Sequence, residues 1–271
     1  PLVCAHRAAP VQVSVYDGTT SGLREMDYWL TDDFLNPSDT KEKFTEELYR
    51  LPVLYQWPPI KEAPPVSPLP AVDAECVTFG SFNNPAKINR DVLNLWARVL
   101  TSVPGSRMLL KYKNWYSQTS LIDGVTEHLT AFGVEEDRIT FSTSDDTFDK
   151  HLSRYAEVDI GLDPFPFNGA TTTFQAMWMG VPVISLVGDT FISRMTGSIL
   201  HHVGLGDLAV DSPEAYIATA KELAGDLLRL KAIRTDLRER VAASPLCDSV
   251  AYVRSVETAY RDMWRSWCAG Q

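Results

Sequence analysis

No apolar run in this 271-residue chain is long enough to span a bilayer, and no signal-peptide pattern opens it, so it reads as a cytoplasmic protein with no membrane partner. Cysteine is sparse. Cys4, Cys76, Cys247 and Cys268 are dispersed without a CxxC pair, which argues against a disulfide framework or a zinc ribbon and for reduced thiols. The five histidines form no HExxH or comparable ligand pair, and His201 and His202, being adjacent, would point about 100° apart on a helix; no metal site is expected. Basic residues are outnumbered, 25 against 35 acidic ones, giving a net charge of -10 that disfavours general affinity for nucleic acid or anionic lipid. Any anionic ligand needs locally placed cations. Neither a GxGxxG fingerprint nor a Walker lysine motif follows a strand-like run, which argues against a conventional dinucleotide enzyme or a P-loop NTPase.

What is present is a 45% hydrophobic sequence with a regular rhythm from residue 76 onward. Apolar runs at 77–82, 107–112, 138–141, 158–162 and 181–186 alternate with helical segments, the pattern of a parallel α/β sheet. A helix over 89–103 carries Val92, Leu95, Trp96 and Val99 on one face and is ended by Pro104-Gly105. In open sheets of this kind ligands bind beyond the carboxyl ends of the strands, so the loops after Phe82, Phe141 and Leu162 become the candidate site.

The first 57 residues hold strand-like runs at 11–16 and 26–31 and a polar, helix-like stretch at 41–49, too little for a complete domain. The sequence opens without an initiator methionine, so a piece of something longer is expected. Six prolines between Pro58 and Pro70 exclude helix and sheet interiors and read as a stiff connector. The expected division is 1–57, a connector over 58–75, a sheet domain over 76–245 and a terminal helical segment over 246–271. Helices are expected at 215–223, 227–241 and 249–267 with charged faces in solvent. Tyr252, Val256, Tyr260 and Met263 share a face of the last one, whereas Trp264 and Trp267 read as core packing, with a partner surface as the weaker reading.

The most informative stretch is Asp163-Pro-Phe-Pro-Phe-Asn-Gly-Ala-Thr-Thr-Thr-Phe-Gln-Ala-Met-Trp-Met-Gly-Val-Pro-Val-Ile-Ser185. A strand end is followed by an Asn168-Gly169 turn and by a helix opened by Thr171, Thr172 and Thr173. Unpaired N–H groups and the helix dipole at that start suit a phosphate, although a threonine-opened helix without any ligand fits the same letters. Lys87, in Phe79-Gly-Ser-Phe-Asn-Asn-Pro-Ala-Lys-Ile88, either meets that phosphate or is an ordinary solvated lysine. His151, in His151-Leu-Ser-Arg-Tyr155, reads by itself as an ordinary helix residue.

These segments, taken with Met177-Trp-Met-Gly-Val-Pro-Val183 and Ser193-Arg194, resemble the O-GlcNAc transferase and SPINDLY-type glycosyltransferase family, several long motifs falling in the right order. The likeness runs to Met263-Trp264 and includes 7–32, which resembles the end of the N-terminal catalytic lobe. It implies a GT-B fold: a Rossmann-like parallel-sheet C-terminal lobe that holds the sugar nucleotide, here with a partial N-terminal lobe. Carried over by position, it implies that Lys87 neutralises the donor diphosphate, that Asn84 lies close to it and that Asn168-Gly169, Thr171 and Thr172 cradle it. It also implies that His151 packs on the uracil and that Gln175, at an acidic family position, meets the ribose. Ala170 stands where animal relatives have histidine, Phe148 replaces a lysine near the nucleoside, and Tyr16-Asp17-Gly18-Thr19-Thr20 alters a sugar-side loop. The histidines that the family places on the acceptor side lie upstream of Pro1, so no general base is assigned.

The resemblance therefore implies an inverting, metal-independent glycosyltransferase region without a cofactor, moving GlcNAc from UDP-GlcNAc to protein serine or threonine. GDP-fucose or UDP-glucose as donor and asparagine as acceptor stay open within the family, as does a non-catalytic nucleotide-sugar-binding module. The partners expected are a nucleotide sugar and a protein or peptide.

Overall fold

A computed structural model describes residues 2–16, 18–143 and 147–270. Two parallel sheets build it. The smaller has strands β1 (Val13–Ser14), β2 (Tyr28–Asp32) and β3 (Glu47–Leu51) side by side in that order. The larger has β4 (Thr78–Ser81), β5 (Arg107–Lys111), β6 (Ile139–Ser142), β7 (Ile160–Leu162), β8 (Val183–Leu186) and β9 (Ala209–Val210). Its spatial order is β6-β5-β4-β7-β8-β9, with every pairing parallel. Counted from its own first strand this is 3-2-1-4-5-6, the doubly wound arrangement whose order reverses between β4 and β7. Phe79 lies opposite Ile160 across that reversal, and the loops leaving these two strands diverge around a crevice.

Five of the six strands of the large sheet stand where apolar runs predict them. The helix Arg90–Ser102 forms because Asn89 accepts a hydrogen bond from Val92 N at 3.0 Å, a cap contributing about 1 kcal/mol. Its face of Val92, Leu95, Trp96 and Val99 is buried. Apolar packing is continuous from Trp29, Leu30 and Leu51 of the small sheet to Phe79, Ile160 and Ile184 of the large one, so both lobes share one core.

Several expectations need correction. Residues 41–49 do not form a helix: 41–46 is irregular, and Glu47–Leu51 pairs with β2 as a strand, placing Leu51 in the core. The helix-like charge pattern there is overridden by burial of Glu46, which accepts from Ser21 N at 2.7 Å. The proline-rich stretch does include a helix, Pro70–Ala74, because Pro70 sits at its first position, where proline lacks no bond it could have made. The charged helix Leu227–Ala242 is not solvated all round. Arg234 is only 2% exposed and donates to the Val158 and Tyr155 carbonyls and to Ser67 O and Oγ. In the terminal helix Ser249–Ala269, Met263 is buried but Trp264 is 51% exposed and stacks on half-buried Trp267 with centroids 4.9 Å apart, so the tryptophans are not core. That helix packs on the small sheet, where Tyr49 Oη donates to Asp262 Oδ2 at 3.1 Å.

Side chains also stitch the lobes together. Arg194 donates to the Phe34 carbonyl at 2.6 Å with its guanidinium 4.9 Å from the centre of the Phe34 ring. Ser198 Oγ donates to Asp32 Oδ2 at 3.2 Å. Tyr55, Trp57, Phe174 and Trp178 form a continuous stack, with successive centroids 5.2, 4.9 and 5.6 Å apart, that begins beyond β3 and ends in the large lobe.

Candidate functional site

A cleft of about 830 Å³ opens at the strand-order reversal, where the carboxyl ends of β4 and β7 face the small lobe. From the loop after β4 come Asn83, Asn84 and Lys87; from the loop after β7 come Phe167, Ala170, Thr171 and Thr172. Tyr16, Gly18, Tyr55, Gln56, Trp57 and Tyr252 close the opposite wall. Of the loop after Phe141, residues 144–146 lie outside the described residues, as does Asp17 of the altered sugar-side loop.

The β7 loop is shaped by a buried carboxylate. Asp163 is fully buried and accepts from Gly169 N and from Ser185 Oγ, each at 2.7 Å. Burial pushes its carboxyl up to about 6, against those bonds and the nearby Lys87 charge, which hold it down. A Cβ on Gly169 would lie 2.9 Å from Asp163 Oδ1, 3.0 Å from Thr172 Oγ1 and closer still to Thr173 Oγ1. Only glycine fits there, and the chain can therefore turn tightly enough to start the helix Thr171–Trp178. Ala170, at the cap position, offers no side-chain acceptor to that helix, so the first-turn N–H groups face the cleft.

Lys87 reaches this helix start from the other loop. Its Nζ donates to the Asn168 carbonyl at 2.6 Å and lies 4.0 Å from the centre of the Phe167 ring. Desolvation lowers its proton affinity from the ordinary lysine value, with Asp163 opposing that shift. Two of its three N–H donors stay available to a ligand oxygen. Thr172 Oγ1 donates to Asn83 Oδ1 at 2.9 Å, so toward the cleft Thr172 offers its backbone N–H.

The sequence-derived residues fall into three groups. Asn84, Lys87, Thr171 and Thr172 line the cleft together. Asn168 and Gly169 are buried and shape the turn, Asn168 Nδ2 donating to the Pro164 carbonyl at 3.0 Å. His151 and Gln175 lie outside the cleft lining and bond to each other, Nε2 to Oε1 at 3.2 Å. The residues that sequence reading missed are Asn83, Tyr55, Gln56 and Trp57, whereas Tyr16 stood in the altered sugar-side loop and Tyr252 on the apolar face of the last helix. The one visible signal of the missed wall is the run Tyr55-Gln-Trp57 just before the proline connector. Among the described residues no group of three His, Cys, Asp or Glu side chains could hold a metal ion, and no helix is long and apolar enough to cross a membrane.

A family model described as glycosyl transferase family 41 matches residues 69–256. A curated relative from Arabidopsis thaliana, the probable UDP-N-acetylglucosamine--peptide N-acetylglucosaminyltransferase SPINDLY, is 39% identical over 98% of this chain and 29% of its own length. The chain thus spans under a third of the curated relatives it matches. Among solved structures, a mutant O-GlcNAc transferase from Thermobaculum terrenum aligns over 98% of this chain and 51% of its own, with a TM-score of 0.91 and 32% identity. Sucrose-phosphate synthase from Thermosynechococcus elongatus, 18% identical over 89% of this chain and 59% of its own with a TM-score of 0.54, shares the fold alone.

Proposed function

Because this chain belongs to glycosyltransferase family 41, with a parallel-sheet GT-B fold, we propose that its cleft binds UDP-GlcNAc and serves transfer of GlcNAc to serine or threonine of a protein, with inversion and without a metal. The observation that carries this reading is the convergence of Lys87 and the uncapped Thr171–Trp178 helix start on one side of the crevice at the strand-order reversal. The donor in the name of the SPINDLY relative, UDP-N-acetylglucosamine, agrees with it.

The acceptor oxygen would attack the anomeric carbon from the face opposite the nucleotide. The bond from that carbon to the β-phosphate oxygen would break, its electron pair staying on the diphosphate. The acceptor proton would leave to a base outside this set. Charge growing on the diphosphate meets the Lys87 ammonium and the first-turn N–H groups, fixed donors in a partly desolvated site that stabilise the transition state more than the ground state. The aromatic wall of Tyr16, Tyr55, Trp57 and Tyr252 supplies flat apolar surface for the faces of a sugar ring.

Titration calorimetry of the chain with UDP, using GDP as control and no added metal, tests the proposal. Micromolar, UDP-selective binding that is weakened about tenfold or more in Lys87→Ala supports it. Preference for GDP would redirect the donor assignment, and affinity unchanged in Lys87→Ala combined with Thr172→Ala would overturn it.

A further inference from the structure

Behind the helix start that lines the cleft, three side chains distant in sequence form a directed chain of hydrogen bonds. Lys111, the last residue of β5, is 2% exposed, and its Nζ lies 2.8 Å from His151 Nδ1. His151 Nε2 lies 3.2 Å from Gln175 Oε1. Phe82 and Phe148 flank the imidazole, with ring centroids 6.0 and 6.1 Å away. Gln175 is half-buried and stands four residues after Thr171, one turn further along the same helix face.

The direction of these bonds follows from the first member. An ammonium has donors only, so His151 Nδ1 must accept. A neutral imidazole that accepts at Nδ1 carries its proton at Nε2, and that N–H donates outward. The atom of Gln175 that meets it must be the carbonyl oxygen, which fixes an amide orientation that heavy-atom positions by themselves leave open. Gln175 Nε2 makes no hydrogen bond among the described residues.

We infer that Lys111 is a positioning residue: by holding His151 as the Nε2–H tautomer it turns the Gln175 amide so that an uncharged N–H pair, rather than an acceptor, is presented to the nucleoside of the donor. This rests on the nucleotide-sugar reading of the cleft. The chemistry it selects is a ribose hydroxyl oxygen acting as acceptor.

Three forms test it: the unaltered chain, Lys111→Met, which keeps length without a donor, and Lys111→Arg, which keeps donors. Long-range ¹H–¹⁵N correlation spectra of the histidine rings at about pH 8 read the tautomer without any nucleotide. The expected result is protonation of His151 at Nε2 in the unaltered and arginine forms and a tautomer mixture in the methionine form. An Nδ1–H ring in the unaltered chain, or a spectrum unmoved by Lys111→Met, overturns the inference. UDP affinity should fall about tenfold in Lys111→Met and recover in Lys111→Arg, one hydrogen bond's worth of free energy. Affinity unmoved by Lys111→Met overturns the positioning role. If the unaltered chain binds neither UDP nor GDP, the nucleotide reading and the role built on it both fall, and the ring spectra still decide the tautomer.

Discussion

Lys87 Nζ donates to the Asn168 carbonyl at 2.6 Å, and this bond ties the loop after β4 to the loop after β7 across the point where strand order reverses. A cation held by a backbone oxygen keeps its place without consuming its charge. Removing it should therefore impair binding far more than folding.

Lys87→Ala is expected to weaken UDP binding by roughly 10- to 100-fold, the range of a charge-assisted contact to phosphate, with little change in melting temperature. Calorimetry and thermal denaturation of the same preparation check both halves.

The same lysine predicts a pH dependence. Burial lowers its proton affinity, so its charge, and the affinity it contributes, should be lost as pH rises through values below the ordinary 10.5. UDP titrations at increasing pH should show this alkaline limb in the unaltered chain. Its persistence in Lys87→Ala would assign the limb to another group.

Asp163 makes a separate prediction of opposite use, stability rather than binding. Its carboxyl rises from 3.8 unfolded to about 6 folded, so the native state takes up a proton more readily than the unfolded one. The stability from this group is fully present below about pH 4 and is lost as pH rises to about 6, by up to about 3 kcal/mol. Asp163→Asn removes that dependence, so the difference between its urea midpoint and that of the unaltered chain should change across this window and be constant above it.

Gly169→Ala should destabilise by about 1–3 kcal/mol, since the new methyl group meets Asp163, Thr172 and Thr173 together. Because those contacts set the helix start, UDP affinity should fall with stability. A variant of full stability and affinity in paired melting and binding measurements would contradict the account of the turn.

Arg234→Ala should cost about 2–4 kcal/mol in urea unfolding, leaving the Val158, Tyr155 and Ser67 acceptors without their buried donor. Burial holds its guanidinium down to about 10, with Asp159 opposing, so the charge persists across the neutral range.

How far the letters reach is visible in these same residues. The strands of the large sheet were legible because each is a short buried run between helices, and β9 escaped because two residues make no pattern. The side of the cleft built by Lys87, Asn84 and the Asn168-to-Thr172 stretch was legible because these are local motifs. Its other wall was not. Tyr16, Trp57 and Tyr252 are brought together only by packing of the lobes, and no spacing announces it. The strand at Glu47–Leu51 was hidden for a related reason: its charges suit a helix, and parallel pairing with β2 decides otherwise. Arg234 looked solvated because a sequence shows its charge and not the carbonyls above it.

The stack from Tyr55 through Trp57 and Phe174 to Trp178, with the Arg194 and Ser198 bonds to the small lobe, has a kinetic consequence. Phe174 belongs to the helix that opens with Thr171, so a wide hinge between the sheets would have to unstack the aromatics that support that helix start. Under the proposed function, spent nucleotide would then depart through small displacements of the cleft rim, and turnover would track the breathing of that rim rather than the swing of two halves.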